Sequence, residues 1–184
     1  MSYPEKPPGR GLRPTIVPIG GFLGAGKTSL IVSAARLLRG RGVKAAAILN
    51  DQGAGLVDTS FVEANEIQAE QVVGGCFCCR LSDLVHAAGQ LRVHMPEIIF
   101  AEAVGSCTDI SATVLQPLKL DHSERFRVAP YTVLVDPERA QRWMDPDLDP
   151  DLAFLFHKQI EEADLICFSK ADRSVRCWMV LTRR

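Results

Sequence analysis

Residues 21–28 of the 184-residue chain read GFLGAGKT and form the first group of residues that could do chemistry. They fit the pattern G-x-x-x-x-G-K-[ST], in which glycines let successive backbone N–H groups turn toward a phosphate. The following helix directs its positive end at the same anion, the lysine reaches the outer phosphates, and the threonine hydroxyl binds Mg²⁺. A glycine-rich turn without a ligand is the alternative. The predicted nucleotide-binding residues here are Gly21, Phe22, Leu23, Gly24, Ala25, Gly26, Lys27, Thr28 and Ser29.

Three cysteines within four positions form the second group. Cys76, Cys78 and Cys79 follow two glycines, and thiolates at this spacing suit a soft or borderline transition metal such as Zn²⁺, Co²⁺ or Ni²⁺. Three thiolates leave a tetrahedral site one ligand short, so water, a partner protein or another subunit must complete it. An open position suits metal transfer better than a permanent structural site. A buried cysteine patch and a redox switch are the alternatives.

A third group could recognise a nucleotide base. Ser169, Lys170 and Asp172 follow a predicted strand and resemble the guanine motif [NTS]-K-x-D. The Asp172 carboxylate can accept two hydrogen bonds from the N–H groups on one edge of guanine, which adenine cannot supply, and the lysine stem can cover the ring. The sequence therefore predicts GTP or GDP as the nucleotide, with a solvated charged turn as the alternative.

Two carboxylates at the ends of predicted strands complete the candidate site. Glu102 is predicted to hold the Mg²⁺ shell, and the N–H of Gly105 to sense the γ-phosphate. Asp51 is a second candidate for the metal shell or for orienting water, and an ordinary turn role is open for both carboxylates. Lys27, Thr28, Glu102 and Asp51 are thus the predicted catalytic residues, with Thr28 and Glu102 as the Mg²⁺ ligands.

The elements that must position these groups alternate between strands and helices. Short apolar runs predict strands at 15–19, 43–49, 97–101, 128–135 and 163–168. Helical spacing of apolar residues predicts helices at 27–38, 81–91, 109–118, 137–144 and 152–162. This alternation predicts an α/β fold of the P-loop NTPase type, with three layers and a mostly parallel central sheet. Pro18 cannot donate to a ladder, so it either ends the first strand's pairing or makes that strand irregular.

The amino-acid composition excludes some classes of binding partner. With 47% hydrophobic and 23% charged residues and a formal charge of -1, the chain has no basic field for nucleic acid or an anionic membrane. No apolar run approaches the roughly 20 residues of a membrane helix, and the proline-bearing start lacks a secretory signal core. Crowded cysteines favour a reducing compartment, so we expect a cytoplasmic protein. His86, His94, His122 and His157 are scattered and are expected to be surface or packing residues.

Four motifs in order resemble the CobW-type family of P-loop GTPases, relatives of the nickel-insertion GTPases for urease and hydrogenase. They are GFLGAGKT at 21–28, C-x-C-C at 76–79, Glu102-x-x-Gly105, and Ser169-Lys170-x-Asp172. The resemblance implies a metallochaperone that hydrolyses GTP and binds Zn²⁺ or Co²⁺ at the C-x-C-C cysteines. It further implies delivery of the metal to a client metalloprotein or a cobalamin-type pathway protein, and a possible homodimer.

Departures from the family pattern fall at switch-like positions. Asn50-Asp51-Gln52-Gly53 stands where the family commonly has Asn-Glu-Phe-Gly, and Ser106-Cys107-Thr108-Asp109 replaces Leu-Ala-Asp/His-Pro. Cys107 could therefore bring a further thiol near the nucleotide. We expect a flexible lead at 1–14, the GTPase domain at 15–172 and a short tail at 173–184. We also expect the family's C-terminal domain to be missing, as in a truncation or a short form.

The sequence predicts a nucleotide-dependent metal site. Mg²⁺-GTP would order the segments around Asp51 and Glu102 against the cysteines, and hydrolysis would loosen them. We expect slow intrinsic turnover because no arginine finger can be identified. The alternatives are a P-loop ATPase or kinase that uses the thiols for redox sensing, and a non-catalytic fragment that binds metal or nucleotide without turnover.

Overall fold

The computed structural model describes residues 13–51, 57–143, 145, 147, 149–170 and 179–181. The strands are β1 (Thr15–Gly21), β2 (Ala45–Asp51), β3 (Gln68–Val73), β4 (Ile98–Glu102), β5 (Arg127–Val128), β6 (Thr132–Val135), β7 (Leu165–Phe168) and β8 (Met179–Leu181). The α-helices are α1 (Lys27–Arg39), α2 (Val57–Glu63), α3 (Leu81–Leu91), α4 (Gln116–Asp121), α5 (Pro137–Trp143) and α6 (Pro150–Glu162). A 3₁₀ turn (Arg92–His94) follows α3, and a π-helical turn (Ser111–Leu115) precedes α4.

These strands form one mostly parallel sheet in the order β3-β2-β4-β1-β6-β7-β8, with β5 paired to β1. Only β8 runs antiparallel, against β7, among the strands listed above. Parallel neighbours bring their carboxyl ends to the same edge, so the loops after β1, β2, β3, β4, β6 and β7 meet there. This edge holds the phosphate loop, the cysteines and the start of the guanine motif.

Helices cover both faces of the sheet. On one face, α1 and α2 pack Ile31, Val32 and Val62 against sheet residues such as Ala47 and Leu49. On the other face, α3, α4 and α6 cover the alternate residues of the same strand, Ala46 and Ile48. A strand buried on both sides reads as a continuous apolar run, which is why β2 could be predicted from its sequence. The predicted three-layer α/β/α fold is confirmed.

Several elements differ from the sequence prediction. The polar stretch QAEQVV forms β3, and α2 precedes it, although neither was predicted. The predicted strand at 128–135 is two short strands, β5 and β6, separated at 129–131 where Pro130 removes a donor. The predicted helix at 109–118 begins as the π-helical turn and continues into α4. Part of the tail forms β8, where no periodicity had indicated a strand.

Pro18 lies inside β1 rather than at its last paired residue. It is in register with Ala101 of β4. On the other side of β1, β5 pairs with Thr15 and Ile16, and β6 pairs only from Ile19 onward. The missing N–H of Pro18 therefore coincides with the interruption between β5 and β6, and the sheet tolerates it. Over the described ranges, no helix combines the length and apolar character needed to cross a membrane.

Candidate nucleotide and metal site

The phosphate loop joins the central strand β1 to helix α1. Gly21 ends β1 at φ 129°, where an added Cβ would lie 2.4 Å from the carbonyl oxygen of Leu134. Gly26 precedes α1 at φ 93°, a left-handed conformation that favours glycine. The Lys27 ammonium is 7% exposed and donates to the carbonyl oxygens of Gly21 at 3.0 Å and Phe22 at 3.4 Å. It thus lies folded onto the inside of the loop where a phosphate would bind.

The other residues of the phosphate loop differ in their exposure to solvent. Ala25 is buried and donates its amide to Phe22, while Leu23, Gly24 and Ser29 are exposed. The Phe22 ring is buried and stacks on Trp143 of α5 with a centroid distance of 4.7 Å. Phe156 of α6 packs against both rings. Phe22, Trp143 and Phe156 therefore form an aromatic cluster that stabilises the phosphate loop.

Thr28 and Glu102 meet although 74 residues separate them. The register of β1 with β4 pairs Ile19 with Glu102, which brings the last residue of β4 beside the first turn of α1. The Thr28 hydroxyl donates to the Glu102 carboxylate at 2.9 Å from Oε2, and Lys27 Nζ lies 3.8 Å from Oε1. A hydroxyl and a carboxylate beside a phosphate loop are oxygen donors of the kind that Mg²⁺ prefers. These two residues fit a Mg²⁺ site.

Gly105 lies against the phosphate loop. An added Cβ at this position would be 2.7 Å from the amide nitrogen of Leu23 and 3.2 Å from the carbonyl carbon of Phe22. The Gly105 carbonyl accepts a hydrogen bond of 2.6 Å from Nε2 of Gln159, a residue of α6 that is 2% exposed. The segment after β4 is therefore in direct contact with the loop that would hold the phosphates.

The start of the guanine motif is tied to β6. The Ser169 amide donates to the Val135 carbonyl at 2.8 Å, and Lys170 Nζ lies 2.6 Å from Oδ2 of Asp136. Burial alone would raise the pKa of the Asp136 carboxyl, but its hydrogen bond and ion pair with Lys170 bring that pKa below its ordinary value. Asp172, predicted to contact the base, lies outside the described residues, as does the side chain of Asp51 at the end of β2.

Arg139 connects the same aspartate to the phosphate loop. Its guanidinium donates to the Leu23 carbonyl at 3.3 Å, and its Nε lies 3.8 Å from Oδ2 of Asp136. Neither Asp136 nor Arg139 was predicted as a site residue. Asp136 could have been found as a polar residue directly after a buried strand, by the same reasoning that found Glu102. Its ion pair with Lys170 cannot be inferred from sequence spacing alone.

The cysteine loop is held by Asn50, the penultimate residue of β2. Its amide donates to the carbonyl oxygens of Val72 at 3.0 Å and Gly75 at 2.7 Å, and its Oδ1 accepts from the Phe77 amide at 2.9 Å. Asn50 is 7% exposed, so these bonds are shielded from water. The sequence had indicated Asn50 only as part of a polar turn.

The thiols form a cluster that includes a residue from the next segment. The sulfurs of Cys76, Cys78 and Cys107 all lie within 4.8 Å of one another, and Cys78 is 3.7 Å from Cys107. Cys79 is exposed, with its sulfur 3.6 Å from that of Cys76. Cys107, noted in the sequence as a thiol near the nucleotide, is thus in contact with the C-x-C-C loop.

Proximity alters the acidity of these thiols. The hydrogen bond from Cys107 lowers the pKa of Cys78 to about 6, although burial opposes the shift. The same contact and burial raise the pKa of Cys107, and the contact with Cys76 raises the pKa of Cys79. Cys78 is therefore a thiolate at neutral pH, the form that binds metal.

A cavity of about 270 Å³ lies elsewhere, at the amino ends of β2 and β3. Arg36, Arg39, Lys44 and His94 contribute to its lining. Arg39 forms an ion pair with Glu66, and Arg36 is hydrogen-bonded to Asn65. The chemistry-bearing side chains described above all lie at the opposite edge of the sheet.

A central parallel sheet with a phosphate loop between its first strand and first helix defines a P-loop nucleotide-binding protein. The chain belongs to the CobW/HypB/UreG family, because the model of that family's nucleotide-binding domain matches residues 15–177. The predicted family is confirmed. No curated protein sequence matches the chain.

Solved structures share the fold at low identity. HypB from Helicobacter pylori in complex with nickel is 19% identical, with a TM-score of 0.58 over 88% of this chain and 66% of that one. Zn(II)-bound YjiA GTPase from E. coli is 17% identical, with a TM-score of 0.56 over 86% and 50%. The signal recognition particle 54 kDa protein from Aeropyrum pernix K1, in complex with GDP, is 19% identical, with a TM-score of 0.58 over 89% and 37%. This chain therefore spans no more than about two thirds of each.

Proposed function

We propose that the chain is a GTP-hydrolysing metallochaperone that carries Zn²⁺ or Co²⁺ at Cys76, Cys78 and Cys79 and delivers it to a client protein or cofactor pathway. The observation that carries the proposal is the contact of one segment with both sites. Gly105 of that segment lies against the phosphate loop, and Cys107 touches the cysteine loop. Family membership and the likeness to nickel-bound HypB and zinc-bound YjiA support the same function.

Lys27 would release the loop carbonyls and bind the outer phosphates, since its ammonium already lies inside the loop. Thr28 and Glu102 would hold Mg²⁺, which neutralises charge on the phosphates as the bond to the γ-phosphate breaks. Water attacks the γ-phosphorus, the β–γ bridging oxygen leaves with GDP, and inorganic phosphate is released. We propose Asp51 as the residue that orients this water or completes the metal shell.

Base selection is assigned to Lys170 and Asp172. The Asp136 carboxylate, directly after β6, binds the Lys170 ammonium. The aliphatic stem of Lys170 can then lie over a purine ring. Asp172 would accept the two hydrogen bonds that guanine offers. A competition experiment with GTP and ATP tests this assignment, and equal affinity for the two nucleotides would contradict it.

Metal titration tests the coupling of the two sites. We expect the affinity for Zn²⁺ or Co²⁺ to differ among the nucleotide-free protein, the GDP complex and the complex with an imido-bridged GTP analogue. Identical affinities in all three states would overturn the proposal. Changing Cys78 and Cys79 to serine should abolish tight metal binding and leave GDP binding intact.

The sulfur contacts also favour a second candidate function, thiol redox sensing. Cys78 and Cys107 lie at 3.7 Å, and Cys76 and Cys79 at 3.6 Å. Peroxide could oxidise either pair to a disulfide, with two electrons passing to the peroxide and water leaving as product. Mass spectrometry after mild peroxide treatment, with and without bound Zn²⁺, separates the candidates. Metal-bound protein that resists oxidation supports the metallochaperone.

A further inference from the structure

We propose that the cavity at the amino ends of β2 and β3 binds a small organic anion, in which a carboxylate or phosphate group is carried on a compact apolar body. This inference goes beyond the proposed function, because the cavity lies at the edge of the sheet opposite the phosphate loop and the cysteines. Its lining comes from four segments of chain: the end of α1, the turn into β2, the entry to β3 and the turn before β4.

The cavity is open because its lining includes residues with short side chains or none, namely Ala35, Gly42, Ala45 and Ala46. Ile67 and Pro96 also line it, are buried, and add apolar surface. The volume of about 270 Å³ lies below the range of about 300–1,000 Å³ that is typical of pockets for drug-sized ligands. The cavity therefore suits a ligand of the size of a single substituted ring.

The charged part of the lining is predominantly basic. Arg36, Arg39 and Lys44 carry positive charges, and Glu66 is the one carboxylate among the residues that line the cavity. Two positive charges are therefore uncompensated there, in a chain whose formal charge is -1. Arginines in the last turn of a helix commonly complement its dipole, but Lys44 belongs to another segment. An apolar floor with excess positive charge is complementary to an anion that has an apolar body.

The two arginines of α1 have donors suited to such an anion. A guanidinium has five N–H donors in a planar fork, which matches the two oxygens of a carboxylate or phosphate. Arg39 donates from Nη1 to Oε2 of Glu66 at 2.6 Å, and both side chains are exposed. Arg36 donates from Nη2 to Oδ1 of Asn65. Each of these contacts engages one nitrogen of its guanidinium, so a ligand can be bound by the others.

Unusual backbone conformations border the same cavity. Glu66, at the entry to β3, has φ 60°, and Met95, in the turn before β4, has φ 53°. Left-handed conformations are unfavourable for residues other than glycine and cluster at ligand sites. The other described non-glycine residues with this conformation are Asp109, two positions after Cys107, and Lys170 of the guanine motif. Within the described part of the chain, such residues thus lie either at the candidate nucleotide and metal site or at this cavity.

Glu66 competes with the proposed ligand for Arg39. A bound anion must share the guanidinium with the Glu66 carboxylate or displace it. Exposed ion pairs of this kind contribute little to stability, so displacement is easy. Removing the charge of Glu66 should therefore strengthen binding, whereas removing a positive charge should weaken it. These opposite responses separate a ligand site from a group of charges that only stabilises the fold.

NMR titration of the full chain tests the inference with four probes: benzoate, its neutral analogue benzamide, phenyl phosphate and inorganic phosphate. Saturating Mg²⁺-GDP is present throughout, so that the probes do not bind at the phosphate loop. We expect benzoate and phenyl phosphate to shift the amide signals of the lining residues with Kd values of about 1 mM or lower. Benzamide lacks the charge and inorganic phosphate lacks the apolar body, so each should bind at least about fivefold more weakly. The tighter of the two anionic rings identifies the preferred head group as carboxylate or phosphate.

Three variants measure the roles of the charges. Lys44→Met and Arg36→Met keep an unbranched stem but remove the charge, so each should weaken phenyl phosphate binding at least about fivefold. Glu66→Gln should strengthen it about threefold, because the competing carboxylate is gone. Lys119→Met, at an exposed position on α4, is the matched control and should leave the affinity unchanged.

The inference would be overturned by equal affinity for benzoate and benzamide, or by the absence of signal shifts at the cavity. An unchanged affinity for phenyl phosphate in both Lys44→Met and Glu66→Gln would also overturn it. Both residues are exposed, and amide signals outside the cavity report directly whether each variant is folded. Failure of GDP to bind would instead contradict the proposed function, and the signals of the lining residues would still show whether the probes bind at the cavity.

Discussion

The backbone amide of Phe77 donates to the side chain of Asn50 at 2.9 Å, across 27 positions of sequence. With the two bonds from its amide group, Asn50 joins the end of β2 to the loop that carries the cysteines. A buried amide that makes three such bonds stabilises the loop, because its donors and acceptor are shielded from water.

Asn50→Ala should therefore lower both stability and metal affinity. We expect a loss of about 2 kcal/mol in the free energy of unfolding, because the variant leaves the Phe77 amide unsatisfied. Urea unfolding and Co²⁺ titration measure the two effects. Asn65→Ala, which removes hydrogen bonds at a partly exposed site, serves as the control and should change stability little. Unchanged Co²⁺ affinity in Asn50→Ala would contradict the structural role given to this residue.

Glu102→Gln should impair hydrolysis through Mg²⁺. The substitution keeps the shape of the side chain but removes the charge beside Thr28 and Lys27, so Mg²⁺ is held less well. We expect GTP turnover to fall at least about tenfold and the Mg²⁺ concentration for half-maximal rate to rise. Steady-state assays across Mg²⁺ concentrations measure both quantities. Glu124→Gln, at an exposed position, should behave as the unaltered protein, and an unchanged Mg²⁺ dependence in Glu102→Gln would refute the assignment.

The acidity of Cys78 predicts a pH profile for the metal-free protein. Since the Cys107 hydrogen bond lowers the pKa of Cys78 to about 6, its thiolate should persist at pH 7 and be half protonated near pH 6. Iodoacetamide labelling followed by peptide mass spectrometry gives the midpoint. Cys79, whose pKa is raised, should lose reactivity at a higher pH. Cys107→Ala removes the donor, so the Cys78 midpoint should move upward; a fixed midpoint would exclude this cause.

Asp136→Asn should weaken nucleotide binding without changing base preference. The Lys170 ammonium loses its charged partner, so its stem is no longer held over the ring, and GDP affinity should fall about tenfold. The preference for GDP over ADP should remain if Asp172 carries it, as proposed above. Calorimetric titration with both nucleotides measures the split, with Asp121→Asn as the exposed control. Loss of preference in Asp136→Asn would mean that Lys170 itself discriminates between the bases.

Trp143 should report nucleotide binding by fluorescence. Its ring stacks on Phe22, whose carbonyl accepts from Lys27, so withdrawal of Lys27 toward a phosphate should disturb the stack. In a Trp178→Phe background, GDP should change the emission with a saturating dependence on concentration. Adding Trp143→Phe should abolish the signal. Constant emission, with GDP binding established by calorimetry, would show that the aromatic cluster does not respond to the loop.

Local patterns in the sequence were sufficient for much of the fold. The phosphate loop and β2 could be predicted because glycine spacing and a two-sided buried strand are properties of consecutive residues. β3 escaped prediction because its QAEQVV stretch pairs only with β2 in the described sheet and is half-buried, so hydropathy gives little signal. A strand of this kind is defined by its partner rather than by its own composition.

The site was predictable as a set of motifs but not as an arrangement. Glu102 could be predicted as a Mg²⁺ ligand because it ends a buried strand, and it remains a prediction. Gln159 could not be assigned, since it lies in an ordinary amphipathic helix and its role depends on contact with a segment 54 positions earlier. Asp136 depends in the same way on Lys170, 34 positions later. Such contacts follow from how β6, β7 and α6 pack, which spacing does not encode.

The close approach of Gly105 to Leu23 restricts which amino acids can occupy position 105. Alanine already carries a Cβ, which would meet the Leu23 amide at 2.7 Å, so even the smallest side chain forces the two loops apart. Saturation mutagenesis with selection for GTP turnover should therefore return glycine alone at this position, whereas the neighbouring exposed Ser106 should accept many residues. The contact between the two loops thus restricts the amino acid at one position, Gly105.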